Sequence, residues 1–305
     1  MFEIAISQLT TPRWELSLEV ERLAAHGFEA ISVWRPKISD LGAAAAAAVI
    51  NAADLRVTSL QWAGGFTGGD GRSFDESVDD ALEAIETAET LSAAVLVVHS
   101  GCRGGHTRSH ARRLLGEAIE VLAGPARQAG VALAIKPLHP AAAAGASFVG
   151  RLAEAVELVE RFDDPAVRLA LDLWHWADDP DFGRLLPRLA ERTAVVQVAD
   201  RTGPAAVGED RLPAGHGRLP LAEAVADLAT LGFRGELEFD PVGETVEILG
   251  YEGVLAETRL VAATWTDRIA KAVESGSRPV AFGPPHFRGA GSRRSHASSQ
   301  TVSPG

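Results

Sequence analysis

Apolar residues in this chain fall into two alternating kinds of segment. Short, nearly unbroken apolar runs occur at Glu3–Ser7, Ala30–Trp34, Val57–Gln61, Val95–His99, Ala132–Lys136, Val167–Asp172, Ala194–Ala199 and Gly235–Asp240. Between them lie longer stretches with helical spacing. Leu16, Val20, Leu23 and Ala24 form one stripe, and Leu82, Ile85, Ala88 and Leu91 another. Glycines follow several of these stretches where a left-handed helix cap belongs, at Gly27, Gly130 and Gly232. Ser73-Phe-Asp-Glu76 reads as a capping box. Strands that are apolar throughout, rather than at every second residue, are strands buried on both faces, which is the signature of a parallel sheet covered by helices.

Eight strand-then-helix units in about 270 residues predict an α/β protein with a (β/α)8 TIM barrel as a single domain over residues 1–274. A doubly wound sheet would carry a glycine-rich phosphate turn after its first strand, and Ser7-Gln-Leu-Thr-Thr-Pro12 stands there instead. The glycine-rich segment Gln61–Arg72 lacks the Gly-Lys-Ser/Thr of a P-loop. No nucleotide cofactor is expected, and the segment reads as a lid over the barrel mouth.

The composition narrows the partners. Of 305 residues, 29 are Lys or Arg and 41 Asp or Glu, for a net charge of −12. Such a chain is a poor match for nucleic acid or for an anionic membrane. No apolar run approaches the ~20 residues of a membrane span. The amino terminus does not read as a signal peptide, and the single cysteine, Cys102, excludes an internal disulfide and a cysteine-based zinc site. These features predict a cytoplasmic protein acting on a small molecule. Residues 275–305 differ from the rest: they hold Arg278, Arg288, Arg293 and Arg294, no acid, and abundant Gly, Ser and Pro. They read as a basic disordered tail, which leaves −16 on the first 274 residues.

In a barrel of this kind the side chains at the C-terminal ends of the strands form the active site. Here those ends hold Trp34, Trp62, His99, Lys136, His139, Asp172, His175, Gln197, Asp240 and, beyond the seventh strand, Arg211. Aromatic faces with amide, imidazole and acidic groups suit a carbohydrate. Trp34 and Trp62 read as stacking walls. His99 reads as a binder of a hydroxyl or phosphate. His139 reads either as a base or as part of a proline-flanked structural turn.

Leu171-Asp-Leu-Trp-His175, Val196-Gln-Val-Ala-Asp200, Arg211-Leu-Pro-Ala-Gly-His-Gly217, His99-Ser-Gly-Cys-Arg-Gly-Gly-His-Thr107 and Pro137-Leu-His-Pro140 follow one another on successive strands. In this the chain resembles the xylose-isomerase-like TIM-barrel sugar-phosphate isomerases and epimerases, including hydroxypyruvate isomerase. The resemblance implies one divalent metal (Mg, Mn or Zn) held by a Glu, an Asp, a His or Gln, and a Glu on strands five to eight. It also implies a homodimer, a substrate-contacting imidazole at His175, and an arginine for a substrate oxygen or phosphate at Arg211. Carried onto this chain, the metal positions are Asp172, Gln197 and Asp240, with Lys136 where the strand-five Glu belongs.

That lysine changes the expectation. An ammonium cannot ligate a hard cation, but standing where the ion would and shared between Asp172 and Asp240 it reproduces the net −1 of the metal-loaded site. Metal binding is therefore expected to be weak or absent. Three functions follow. One is an isomerase or epimerase that moves a proton next to a carbonyl in a sugar, sugar phosphate or hydroxy-keto acid, with Lys136, Asp240 and His175 as its catalytic groups. The second is a non-catalytic sugar-binding or regulatory pseudoenzyme. The third is a Schiff-base lyase at Lys136, which two neighbouring carboxylates disfavour by raising the amine's pKa.

Overall fold

The computed structural model describes residues 4–143 and 145–275. The expected disordered tail lies outside them from residue 276 onward. Eight parallel strands, β1 (Ile4–Ser7), β2 (Ala30–Trp34), β3 (Arg56–Gly64), β4 (Val95–His99), β5 (Ala132–Ile135), β6 (Val167–Asp172), β7 (Thr193–Val198) and β8 (Glu236–Phe239), pair in chain order. β1 pairs with β8 through Ala5 and Glu238, and this contact closes the barrel. The predicted (β/α)8 barrel is the observed fold.

Helices fill the connections. α1 (Leu16–Ala25) follows β1, α2 (Arg35–Ile38) and α3 (Ala43–Ala52) follow β2, α4 (Phe74–Thr90) follows β3, and α5 (Arg108–Gln128) follows β4. After β5 come α6 (Pro140–Ala143) and α7 (Leu152–Phe162), and after β6 come α8 (Leu173–Trp176) and α9 (Phe182–Arg192). α10 (Leu221–Thr230) follows β7, and α11 (Glu244–Leu249) and α12 (Tyr251–Ser275) complete the chain. The Ser73 capping box forms as its sequence predicts: Ser73 accepts from the Glu76 amide, and the Glu76 side chain accepts from Ser73 N. Among the described residues no helix is long and apolar enough to cross a membrane.

The period of two along each strand sorts its residues between two cores. Leu96, Val98, Leu133, Ile135, Leu169, Leu171, Val196 and Val198 face outward into the main core beneath the helices. Val95, Val97, Ala134, Ala170 and Val195 face inward and form a small cluster inside the barrel. One further step of two carries each inner position to a polar residue at the mouth: Val97 to His99, Ala134 to Lys136, Ala170 to Asp172 and Val195 to Gln197. The alanines on β5 and β6 keep the interior narrow enough for those side chains to meet. On the opposite wall the interior is polar, with Ser32, Thr58, Ser59, Gln61 and Glu238 all buried.

The glycine-rich segment is not a free flap. Gly65 N donates to His99 O at 3.3 Å, Arg72 Nη2 donates to Gly64 O at 2.9 Å, and Thr67 Oγ1 donates to Cys102 O. Arg72 also pairs with Asp70 and Asp80. The lid expectation is thus corrected, because close packing against the loop after β4 ties the segment down. Gly64 makes this possible: its φ is +139°, and an added Cβ would lie 1.9 Å from His99 O. Gly64→Ala is expected to cost at least about 2 kcal/mol, read from the midpoint of urea unfolding. A loss below about 0.5 kcal/mol would show that the two loops part without cost.

Candidate active site

The mouth is organised around one buried carboxylate. Asp172 ends β6, and its Oδ1 accepts from Trp174 N at 3.0 Å, capping α8. Lys136 follows β5 directly, and its backbone N donates to Val98 O at 2.9 Å, which places the side chain over the mouth. Its Nζ lies 2.8 Å from Asp172 Oδ2. Arg211 Nη2 reaches Asp172 at 3.1 Å and both oxygens of Asp240, at 2.6 and 2.7 Å, while its Nε donates to Asp240 O at 3.2 Å.

Arg211 arrives on a well-braced loop. It pairs antiparallel with Val242, and Asp200 accepts from the amides of Arg201, Gly215 and Leu219. The Arg211 guanidinium also lies 5.4 Å from the centroid of the Trp174 ring. Asp200 therefore supports the loop, as a capping carboxylate does. His216, between the two glycines of the motif, turns outward to Glu257 at 2.7 Å.

Burial opposes ionisation of Asp172, but Arg211 and Lys136 outweigh it and hold the carboxyl well below the usual range. Asp240 moves the other way. Burial and the neighbouring Asp172 charge raise it against the pull of Arg211 and Lys136. Both histidines at the mouth are neutral. Burial lowers His175 to about 3, with Arg211 and Lys136 adding to the effect and Asp172 opposing it. Burial and Lys136 lower His99 to about 3 as well. His139 N donates to His175 Nδ1 at 3.3 Å, so the neutral ring carries its proton on Nε2, 3.8 Å from Asp172 Oδ2. His99 stacks on Trp62, with centroids 5.0 Å apart and planes 13° apart, and Trp62 is 41% exposed.

Beneath this layer Gln197 Nε2 donates to Glu238 Oε2 at 3.1 Å. Glu238 accepts further from Thr58 Oγ1 at 2.6 Å and Gln61 Nε2 at 3.2 Å, and burial raises its pKa. Register places Asp172 opposite Gln197 and Gln197 opposite Glu238. The acid level with Gln197 is therefore Glu238, and Asp240 stands one step of two above it. The expected strand-eight position is corrected accordingly. Alternation along the strand held the signal, since an inward Asp240 requires an inward Glu238. The expected sharing of Lys136 between Asp172 and Asp240 is corrected too: Arg211 takes both oxygens of Asp240, and the ammonium sits on Asp172.

The other predicted residues lie around this cluster. Trp34 and Trp62 line a lateral cleft with Arg35, Gln61 and Glu83. The His139 ring lines a second cleft with Trp176 and Asp179, and its Nδ1 accepts from Ala141 N at 3.3 Å at the start of α6. Lys37 is buried in a pair with Glu19 at 2.9 Å.

A family model described as the xylose isomerase-like TIM barrel matches residues 20–255. The chain belongs to this family. Among solved structures it is similar to protein SMc04130 from Sinorhizobium meliloti 1021, at 27% identity and a TM-score of 0.73, over 88% of this chain and 98% of that one. It is also similar to the IolI protein, solved with a binding zinc atom, at 17% identity and a TM-score of 0.75, over 88% and 99% of the two chains. An L-ribulose 3-epimerase aligns at 18% identity and a TM-score of 0.72, over 91% and 98%. The last two likenesses concern the fold. Among curated proteins none matches the chain.

The donor set here does not suit the family's metal. Of the four positions, Lys136 is a cation lying on Asp172, and Arg211 bridges Asp172 to Asp240. Two positive charges already lie on Asp172, one of the two carboxylates left at these positions. Each unit of ionic charge ~4 Å from the ammonium costs roughly 4 kcal/mol at an effective dielectric of about 20. Among the described residues no group of three or more His, Cys, Asp and Glu side chains is arranged to hold a metal. Lys136→Glu is expected to gain stoichiometric Mn2+ or Zn2+ binding by titration calorimetry, at least a hundredfold tighter than the unmodified protein. Equal binding by the two proteins would show that the ammonium does not compete with an ion.

Proposed function

We propose that this barrel is a sugar isomerase- or epimerase-like enzyme that moves a proton next to the carbonyl of a small hydroxy-carbonyl compound, with side-chain cations in the place of a metal. The observation that carries this reading is the Lys136–Asp172–Arg211–Asp240 network at the C-terminal face, where barrels of this class place their chemistry. In this scheme the Asp240 carboxylate takes the proton from the carbon beside the carbonyl. The C–H electron pair becomes the new C=C bond of an enediolate, and the carbonyl electrons move to oxygen. The Lys136 ammonium holds the negative charge that develops there. Protonation of the opposite face by a water molecule, with the Asp240 proton then lost to solvent, gives epimerisation; return of the Asp240 proton to the neighbouring carbon, with the hydroxyl proton of that carbon passing to the former carbonyl oxygen, gives isomerisation. His175 Nε2–H is a neutral donor for a substrate oxygen.

Each oxygen of Asp240 keeps a lone pair beyond the one that Arg211 uses. Its raised pKa brings the carboxyl closer to neutral pH, where a carboxyl exchanges a proton most effectively. The same double contact from Arg211 favours a second reading, a barrel that binds the sugar without turning it over. We propose further that the partner is a free carbohydrate or hydroxy-keto acid in the cytoplasm, not nucleic acid or membrane, and that the protein works as a homodimer.

The test is solvent exchange. EDTA-treated protein is incubated in D2O with C3 to C6 ketoses and aldoses and followed by NMR. Deuterium is expected at the carbon beside the carbonyl, with no effect of EDTA. Lys136→Met and Asp240→Asn should each slow incorporation by about a hundredfold or more. Because the base must be ionised, the rate should rise with pH along a limb placed above the ordinary carboxylate range. Binding without any exchange across the panel would sink the enzyme reading in favour of the binding one.

A further inference from the structure

The lateral cleft beside the mouth takes no part in the reaction proposed above, and its walls have a chemistry of their own. It encloses about 430 Å3 between the ends of β2 and β3, the start of α3 and one face of α4. Two indoles form its walls. Trp34 is fixed at the end of β2, where its amide donates to Gln8 Oε1 at 2.9 Å. Trp62 is fixed by its stack on His99 and by Arg35 Nη1, which donates to its carbonyl at 3.3 Å. It is nevertheless 41% exposed. An indole that is both held and open to solvent offers its surface to a ligand at little cost in side-chain entropy.

The charges of the cleft are of one sign. Arg35 lines it, but both Nη atoms are spent on Asp80, at 3.0 and 3.1 Å. Arg72 reaches the same Asp80 and also pairs with Asp70, so these four charges sum to zero. Glu83, exposed on α4, has no ion pair or hydrogen bond among the described residues. The rest of α4 adds to its field: Asp75, Glu76, Asp79, Glu86 and Glu89 lie on the same helix, which has no Lys or Arg. Gln61 lines the cleft from the barrel side and is 1% exposed. Its Nε2 is shared among Ser32, Ser59 and Glu238, which leaves Oε1 as an acceptor without a partner. An anion entering this cleft meets Glu83 and finds no uncommitted lysine or arginine. A cation gains from the indole faces and from the carboxylate, and an N–H on it can donate to Gln61 Oε1.

We propose that the lateral cleft is a binding site for a small protonated amine with a flat apolar body, the body against Trp34 and Trp62 and the ammonium on Glu83 and Gln61. The site is separate from the Lys136–Asp172–Arg211–Asp240 network and does not depend on the reaction assigned to it.

The probes are benzylamine, benzyl alcohol and benzoate, which share one ring and differ in charge, titrated at neutral pH by calorimetry and by tryptophan fluorescence. Benzylamine is expected to bind at least about tenfold tighter than benzyl alcohol, and benzoate more weakly than either. Glu83→Gln should weaken benzylamine by about threefold or more and leave benzyl alcohol within about twofold, a split that a merely structural change would not produce. Trp34→Leu and Trp62→Leu should each weaken benzylamine by about fivefold or more. Glu83→Gln alters an exposed position, so it decides the matter even where loss of an indole unfolds the protein. Equal binding of the amine and the alcohol would overturn the proposal. So would an amine preference that survives both Glu83→Gln and Trp62→Leu, or one abolished by Asp240→Asn, which would place the amine at the centre.

Discussion

Everything at the mouth of this barrel depends on keeping the Asp172 carboxylate ionised where water does not reach it. Removing a carboxylate from water costs several kcal/mol even after relaxation, and only close opposite charge and hydrogen bonds return it. Asp172 obtains three such contacts from different parts of the chain: the Lys136 ammonium from β5, the Arg211 guanidinium from the loop after β7, and the Trp174 amide from its own strand end. Among the described residues Lys136 forms its ion pair with Asp172, and Arg211 pairs with Asp172 and Asp240. The network therefore stands or falls together. Losing one member would leave a buried charge without its counterpart, which is more harmful than the loss of one contact suggests.

The same solution recurs one layer away. Glu19, wholly buried on α1, is met by Lys37, Gln8 Nε2 at 2.7 Å and Thr11. Burial alone raises this carboxyl, and the lysine and the hydrogen bonds oppose the rise. Gln8 Oε1 in turn accepts from Trp34 N at 2.9 Å, so the pair fixes the end of β2 and with it a wall of the lateral cleft. The charge of Lys37 is thus committed to holding the corner of the mouth.

Local patterns carried most of the fold. The strand runs, the Ser73 capping box and the order of the units were legible because each depends on residues close together in the chain. The strand-end polar residues, Lys136 among them, were legible for the same reason. What could not be read was pairing between strand ends. Arg211 lies 39 residues from Asp172 and 29 from Asp240, and nothing local to it says that a bridge with Val242 will swing its guanidinium over both. Sequence alone puts the strand-eight ligand position on Asp240 and not on Glu238, because an Asp beside a proline looks like the end of the strand. Only the row Asp172–Gln197–Glu238 shows which acid is level with the amide.

That row also shows how the centre keeps its shape through its own side chains. A metal ion organises its ligands by drawing them to a point, and without one the side chains need other anchors. Here the upper anchor is the pair of cations on Asp172 and Asp240, and the lower one is Glu238 with Gln61, Thr58 and Gln197. The upper anchor is electrostatic and nearly neutral in sum. The lower one is built from neutral donors around a single acid whose pKa burial raises. Charge at the mouth is consequently balanced before a ligand enters, and what remains unbalanced is hydrogen bonding.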